Sequence, residues 1–138
     1  AVGVLAGALT VTGHNWSVFH RWAGGRGISP AMGAGAVLAW PAMVLLALGL
    51  SVGRLLHATA QVCLLAQLLL VPVLWATHGG YGVAVGAGLA VPMLVKRLTG
   101  NALPPRWSRR VVVARLVYDR DPGAGGGGDG PNRRETTR

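Results

Sequence analysis

The chain has 138 residues, of which 51% are hydrophobic and only 12% charged, with a formal net charge of +9 and a mean hydropathy of +0.46. Soluble domains carry about 25% charged residues, so this is the composition of a membrane protein. All four carboxylates (Asp119, Asp121, Asp129 and Glu135) fall near the C-terminus, so residues 1–105 hold no Asp or Glu to act as general base, ligate a metal or orient a histidine.

The same 105 residues contain five cations, Arg21, Arg26, Arg54, Lys96 and Arg97. Basic residues beside apolar runs set membrane topology and meet anionic headgroups, so the positive charge implies lipid and not nucleic acid as partner. Cys63 stands alone, which excludes an intramolecular disulfide and a thiolate metal cluster. The chain opens inside an apolar run with no basic n-region ahead of it, and so reads as a piece of a longer protein rather than as a secretory signal.

The elements expected in chain order are helical, and the fold class is an all-α polytopic membrane bundle. Residues 1–12 look like the end of a membrane helix whose Gly3, Ala6, Gly7 and Ala8 permit close packing. Residues 13–29 form a polar re-entrant loop. Pro30 suits the first turn of the next helix. Residues 31–52 are apolar for long enough to cross a bilayer of about 30 Å, but Pro41 kinks or splits the run.

Arg54 and His57 mark a polar joint, and residues 59–76 are a second long run. The turn Thr77-His78-Gly79-Gly80 leads to a third, residues 81–95, which closes on Lys96-Arg97. Trp16, Trp22, Trp75 and Trp107 fall at the ends of runs, where interfacial tryptophans belong, whereas Trp40 lies mid-run and is expected to pack. Residues 1–100 thus form one transmembrane domain and residues 101–138 a basic juxtamembrane segment and tail. In that tail, residues 111–118 suit a short interfacial element and residues 121–138 are expected to be disordered.

The cations after Val95 argue for a cytoplasmic C-terminus of a multi-pass cell-membrane protein. Three simple crossings between residues 30 and 95 would then put the 13–29 loop on the opposite face. The run split by Pro41 is the candidate to resolve this, as two short helices forming a hairpin.

The chemistry concentrates in Gly13-His14-Asn15-Trp16-Ser17-Val18-Phe19-His20-Arg21-Trp22-Ala23-Gly24-Gly25-Arg26-Gly27. Gly24, Gly25 and Gly27 free the backbone for positive φ and close ligand approach, and successive N–H groups in such a turn cradle anions. Arg26 adds a planar, permanently charged fork suited to phosphate. His14 adds a group that exchanges a proton near neutral pH, although a polar residue at a helix end bonded to a backbone carbonyl would read the same way. Asn15 and Ser17 either bond substrate oxygens or cap the loop.

This stretch resembles the integral membrane acyl-phosphate:glycerol-3-phosphate acyltransferases of bacteria. Their central motif runs Gly-His, two variable residues, Pro-Val-Phe and, after a short gap, Gly-Gly-Lys-Gly. Gly13-His14, Val18-Phe19 and Gly24-Gly25-Arg26-Gly27 fall at the matching spacing, with Ser17 in place of the proline and Arg26 in place of the lysine. Lys96-Arg97-Leu98 and Gly100 look like the end of the family's last motif, and its first motif would lie upstream of Ala1.

The resemblance implies transfer of a fatty acyl group from acyl-phosphate to the 1-hydroxyl of glycerol 3-phosphate, giving lysophosphatidic acid for phospholipid synthesis. It implies neither coenzyme A nor a metal, hence no cofactor. It further implies His14 as the catalytic residue, with Gly13, Asn15, Ser17, Gly24, Gly25, Arg26, Gly27 and Arg97 binding substrate and phosphate, and membrane lipids as surroundings. The histidine-x4-aspartate signature of soluble-type acyltransferases is absent, since Phe19 stands where its aspartate would. The competing class is a non-catalytic membrane transport or assembly subunit with a lipid-binding basic tail.

Overall fold

The computed structural model describes residues 1–17, 24–100 and 107–119. Every regular element among them is a helix: α1 (Val2–Asn15), α2 (Ile28–Leu38), α3 (Trp40–Leu55), α4 (Thr59–Thr99) and α5 (Arg109–Tyr118). His20, Arg21 and Trp22, and the expected disordered stretch 121–138, lie outside the described residues.

Two of the expected punctuations are realised. The apolar run 31–52 is cut at Ala39, whose extended backbone (φ −162°, ψ 94°) separates α2 from α3. Pro41 then sits in the first turn of α3, where its missing N–H would have had no helical partner in any case. In α4 the backbone leaves the helical region at Gly79 (φ 59°, ψ −141°), a conformation open essentially to glycine alone.

Beyond Gly79 the chain folds back on itself. A side chain added at Gly82 would meet the carbonyl of Leu74, and one at Gly86 would lie 3.0 Å from the Cα of Val71. Deeper along the pair, Gln67 donates to the sulfur of Met93 across 3.7 Å. Thus α4 is two antiparallel arms, 59–78 and 80–99. Each is about 30 Å long at 1.5 Å per residue, and taken together they are long and apolar enough to cross a membrane. Pro72 and Pro92 interrupt the hydrogen-bond ladder within the arms without ending them.

The other helices pack through small residues. Gly49 lies against Ala66 and Gly53 against Thr59, so α3 runs antiparallel to the first arm of α4. Gly3 lies against Leu38 and Gly27 against Asn15, so α1 and α2 are also antiparallel. Gly7 contacts both α2 and the second arm of α4 through Ala34, Leu38 and Leu89. These contacts order the bundle into two ends. One carries the α1–α2 connection, the α3–α4 turn, the end of the second arm and α5. The other carries Ala1, the joint at Ala39 and the turn at Gly79.

The expected helix pair around Pro41 follows from this order, because α2 leaves the first end and α3 returns to it. The connection 24–27 and the segment beyond Thr99 therefore share one end of the bundle. Arg26, Arg54, Lys96, Arg97 and Arg115 all gather there.

An apolar core that includes Leu46, Leu70, Leu74, Leu89 and Met93 is buried, yet many large apolar side chains remain outside it. Leu5, Leu9, Val37, Leu48, Leu65, Trp75 and Val91 are exposed, while Asn15, Gln67, Lys96, Arg97 and Arg115 are buried. The hydroxyls of Thr10, Thr12, Thr77 and Thr99 donate to carbonyls one turn back in their own helices, which removes polar atoms from the apolar exterior.

Three expectations are corrected. Gly13, His14 and Asn15 are not loop but the last turn of α1, because the apolar run continues its backbone ladder up to Trp16. Trp40 is not packed but 64% exposed, since the break at Ala39 places it at the end of the bundle. Lys96 and Arg97 do not mark the end of the third run. The second arm runs on to Thr99 and both are buried, Arg97 against α5 and Lys96 over the ring of Trp16.

Candidate functional site

The last turn of α1 and the first residues before α2 meet at the cationic end. Gly24 packs directly on the backbone of α1, where any Cβ would collide with the carbonyls of His14 and Asn15. Gly25 faces the imidazole, and a Cβ added there would fall 2.5 Å from Nε2 of His14. Gly27 precedes α2 in the left-handed region (φ 74°), and a Cβ there would sit 2.6 Å from Oδ1 of Asn15. Each glycine answers a different constraint: the backbone of α1 at Gly24, the His14 ring at Gly25, and at Gly27 a positive φ beside Asn15. Gly13, in contrast, faces open space, and no neighbour among the described residues requires it to be glycine.

Asn15 is wholly buried and its Nδ2 donates to the Pro92 carbonyl at 2.9 Å. It locks α1 to the second arm of α4 and holds the glycine turn from below. Its Oδ1 has no hydrogen-bond partner among the described residues. Ser17 is half-buried just beyond α1. His14 is exposed, so its ring is open to a small molecule at this end.

Arg26 lies across the end of the second arm. Its Nη1 donates to the Lys96 carbonyl at 3.4 Å and its Nη2 is 2.8 Å from Oδ1 of Asp119. Lys96 itself is fully buried, with Nζ over the ring of Trp16 at 5.4 Å from the centroid, a cation–π distance.

Arg97 and Arg115 form a reciprocal clasp. Arg97 donates to the Leu116 carbonyl at the end of α5 at 3.0 Å, and Arg115 donates to the carbonyls of Leu98 and Thr99 at the end of α4 at 2.9 and 2.8 Å. Each arginine thus satisfies the otherwise orphaned carbonyls, and meets the negative dipole end, of the other's helix.

The structure therefore brings together His14, Asn15, Gly24, Gly25, Arg26 and Gly27 in one cluster with Lys96 and Trp16. It puts Arg97 to a different use, under α5. Sequence reasoning missed Asp119 altogether, and the signal for it was slight: it is the first carboxylate after a long stretch that has none.

A helical bundle with an apolar exterior and one cationic end, where a histidine and a glycine-rich turn converge, is the class that these features define. The family model described as glycerol-3-phosphate acyltransferase matches residues 1–103, and the chain belongs to that family. It is 36% identical over 126 residues to glycerol-3-phosphate acyltransferase 4 of Dehalococcoides mccartyi (strain CBDB1), covering 85% of this chain and 53% of the relative. It is 30% identical over 129 residues to the glycerol-3-phosphate acyltransferase of Synechococcus sp. (strain CC9902), covering 90% and 57%. A shorter match, 45% over 49 residues, links it to glycerol-3-phosphate acyltransferase 5 of D. mccartyi (strain ATCC BAA-2266 / KCTC 15142 / 195), covering 36% of this chain and 21% of the relative. The chain spans about half the length of the first two relatives. No solved structure matches it.

Proposed function

We propose that the protein containing this chain transfers a fatty acyl group from acyl-phosphate to the 1-hydroxyl of glycerol 3-phosphate, releasing inorganic phosphate and lysophosphatidic acid. The observation that carries this reading is the convergence of His14 with the Gly24–Gly27 turn and Arg26 at the cationic end of the bundle. Family membership supports acyl transfer to glycerol 3-phosphate, and the lack of any carboxylate in residues 1–105 supports a donor that is already activated.

An acyl-phosphate is a mixed anhydride whose phosphate leaves readily, so the protein needs chiefly to hold two anions side by side. Arg26 and the backbone N–H groups of the turn grip a phosphate, and Lys96 adds charge close by. The acceptor hydroxyl attacks the acyl carbonyl carbon, the carbonyl-to-phosphate oxygen bond breaks, and His14 takes the hydroxyl proton. Proximity of the two bound reactants supplies much of the rate. The two arms of α4 and the α2–α3 pair would span or enter the bilayer, with the cationic end on the cytoplasmic side.

The test supplies acyl-phosphate and glycerol 3-phosphate to membranes carrying the full-length protein. Loss of one charge-assisted phosphate contact costs about 1.5–3 kcal/mol, so Arg26→Ala should raise KM for glycerol 3-phosphate or for the donor about ten- to hundredfold, with Arg26→Lys intermediate. His14→Ala should abolish kcat while leaving binding. Unchanged kinetics in Arg26→Ala would end the assignment.

A further inference from the structure

The carboxylate of Asp119 forms an ion pair with the guanidinium of Arg26. Its Oδ1 is buried and 2.8 Å from Nη2 of Arg26, an ion pair without an aligned hydrogen bond, so an anion that does align its oxygens with the guanidinium fork can displace it. Asp119 is the one carboxylate among the described residues, against Arg26, Arg54, Lys96, Arg97 and Arg115 at the same end. It is delivered there by particular local structure: it terminates α5 in the left-handed region (φ 53°, ψ 36°), a conformation that aspartate tolerates better than most residues. Behind it, the Arg97–Arg115 clasp fixes α5 to the end of α4. The pair is only partly screened, with the side chains of Arg26 and Asp119 30% and 23% exposed. Asp119 also lies outside residues 1–103, the part that the family model matches.

We infer that Asp119 is an internal competitor for the phosphate position at Arg26, and so sets which anions the site accepts. This rests on the reading of Arg26 as a phosphate ligand. A carboxylate carries one negative charge, whereas a phosphate monoester carries close to two at neutral pH. With five cations at this end, the dianion displaces Asp119 and a monoanion of ordinary affinity does not. The site thereby prefers soluble phosphate monoesters, the class to which glycerol 3-phosphate belongs, over the monoanionic phosphodiester headgroups that surround it.

The experiment measures inorganic phosphate binding by calorimetry, using the full-length protein in phosphatidylcholine nanodiscs. An ion pair of this exposure is worth up to about 1 kcal/mol, so Asp119→Asn should tighten phosphate about fivefold. Asp119→Glu keeps a competing carboxylate and should stay near wild type. Asp121→Asn removes the same charge two residues further on and should change nothing. An equal gain in Asp121→Asn, or no gain in Asp119→Asn while Arg26→Ala still weakens phosphate, overturns the competition and leaves the proposed reaction standing. Absence of Arg26-dependent phosphate binding in every variant overturns both. Nanodiscs with added phosphatidic acid separate the sources: a difference between wild type and Asp119→Asn confined to them would assign the position to a lipid headgroup and overturn the soluble-substrate reading.

Discussion

At the scale of single residues, the Gly-Gly-Arg-Gly turn illustrates how one residue type serves several ends. Gly27 needs its positive φ, Gly25 makes room for the His14 ring, and Gly24 makes room for backbone. They should therefore respond differently to alanine. At Gly24 the obstacle is two carbonyl groups of α1 that cannot rotate aside, so Gly24→Ala should destabilise by about 1–3 kcal/mol and separate Arg26 from His14. A fall of several degrees in the midpoint of thermal unfolding, together with loss of acyl transfer, is the expected result. Gly13→Ala, by contrast, faces open space and should be neutral in the same melt. Equal melting shifts for both would contradict this packing of the turn on α1. The glycines were visible in the sequence as a cluster, but their separate reasons were not, since each depends on which atom of α1 lies opposite.

At the scale of elements, the helical hairpin of α4 is the largest departure from a simple reading of hydropathy. Residues 59–99 are apolar almost throughout, and the backbone conformation of Gly79 divides them into two arms. Gly79→Val would force a β-branched residue into a glycine-only region at about 1–3 kcal/mol, whereas Gly80→Ala, with helical backbone and open space, should be tolerated. Thermal unfolding in detergent would compare them, and similar stability of both would argue against the turn. The Thr77-His78-Gly79-Gly80 punctuation was legible beforehand because paired glycines among apolar residues have few other uses. The clasp between α4 and α5 was not legible. Arg97 and Arg115 read as ordinary basic residues near a membrane surface, and nothing local indicates that each caps the other's helix across a separation of 18 positions.

At the scale of the whole molecule, the order of the helices places residues 54–58 and α5 at one end and residues 78–80 at the other. Single cysteines in a Cys63→Ser background test this, because Leu56, Ser108 and Gly80 are all exposed. In sealed vesicles an impermeant maleimide should label Leu56→Cys and Ser108→Cys from one side and Gly80→Cys from the other. Labelling of all three from the same side would overturn the arrangement. The amino-acid sequence by itself determined that this chain is helical and rich in apolar runs, and its resemblance to the family put His14 and Arg26 in one motif. Composition suffices for the first, because hydropathy acts residue by residue, and motif spacing for the second. Only the tertiary structure decided that the Pro41 run leaves and returns, that Asn15 and Arg97 brace the site from within, and that Asp119 reaches Arg26. Those outcomes depend on which surfaces fit one another, and contacts between residues 70 to 93 positions apart, such as Arg26 with Lys96 and with Asp119, leave no local trace in the chain.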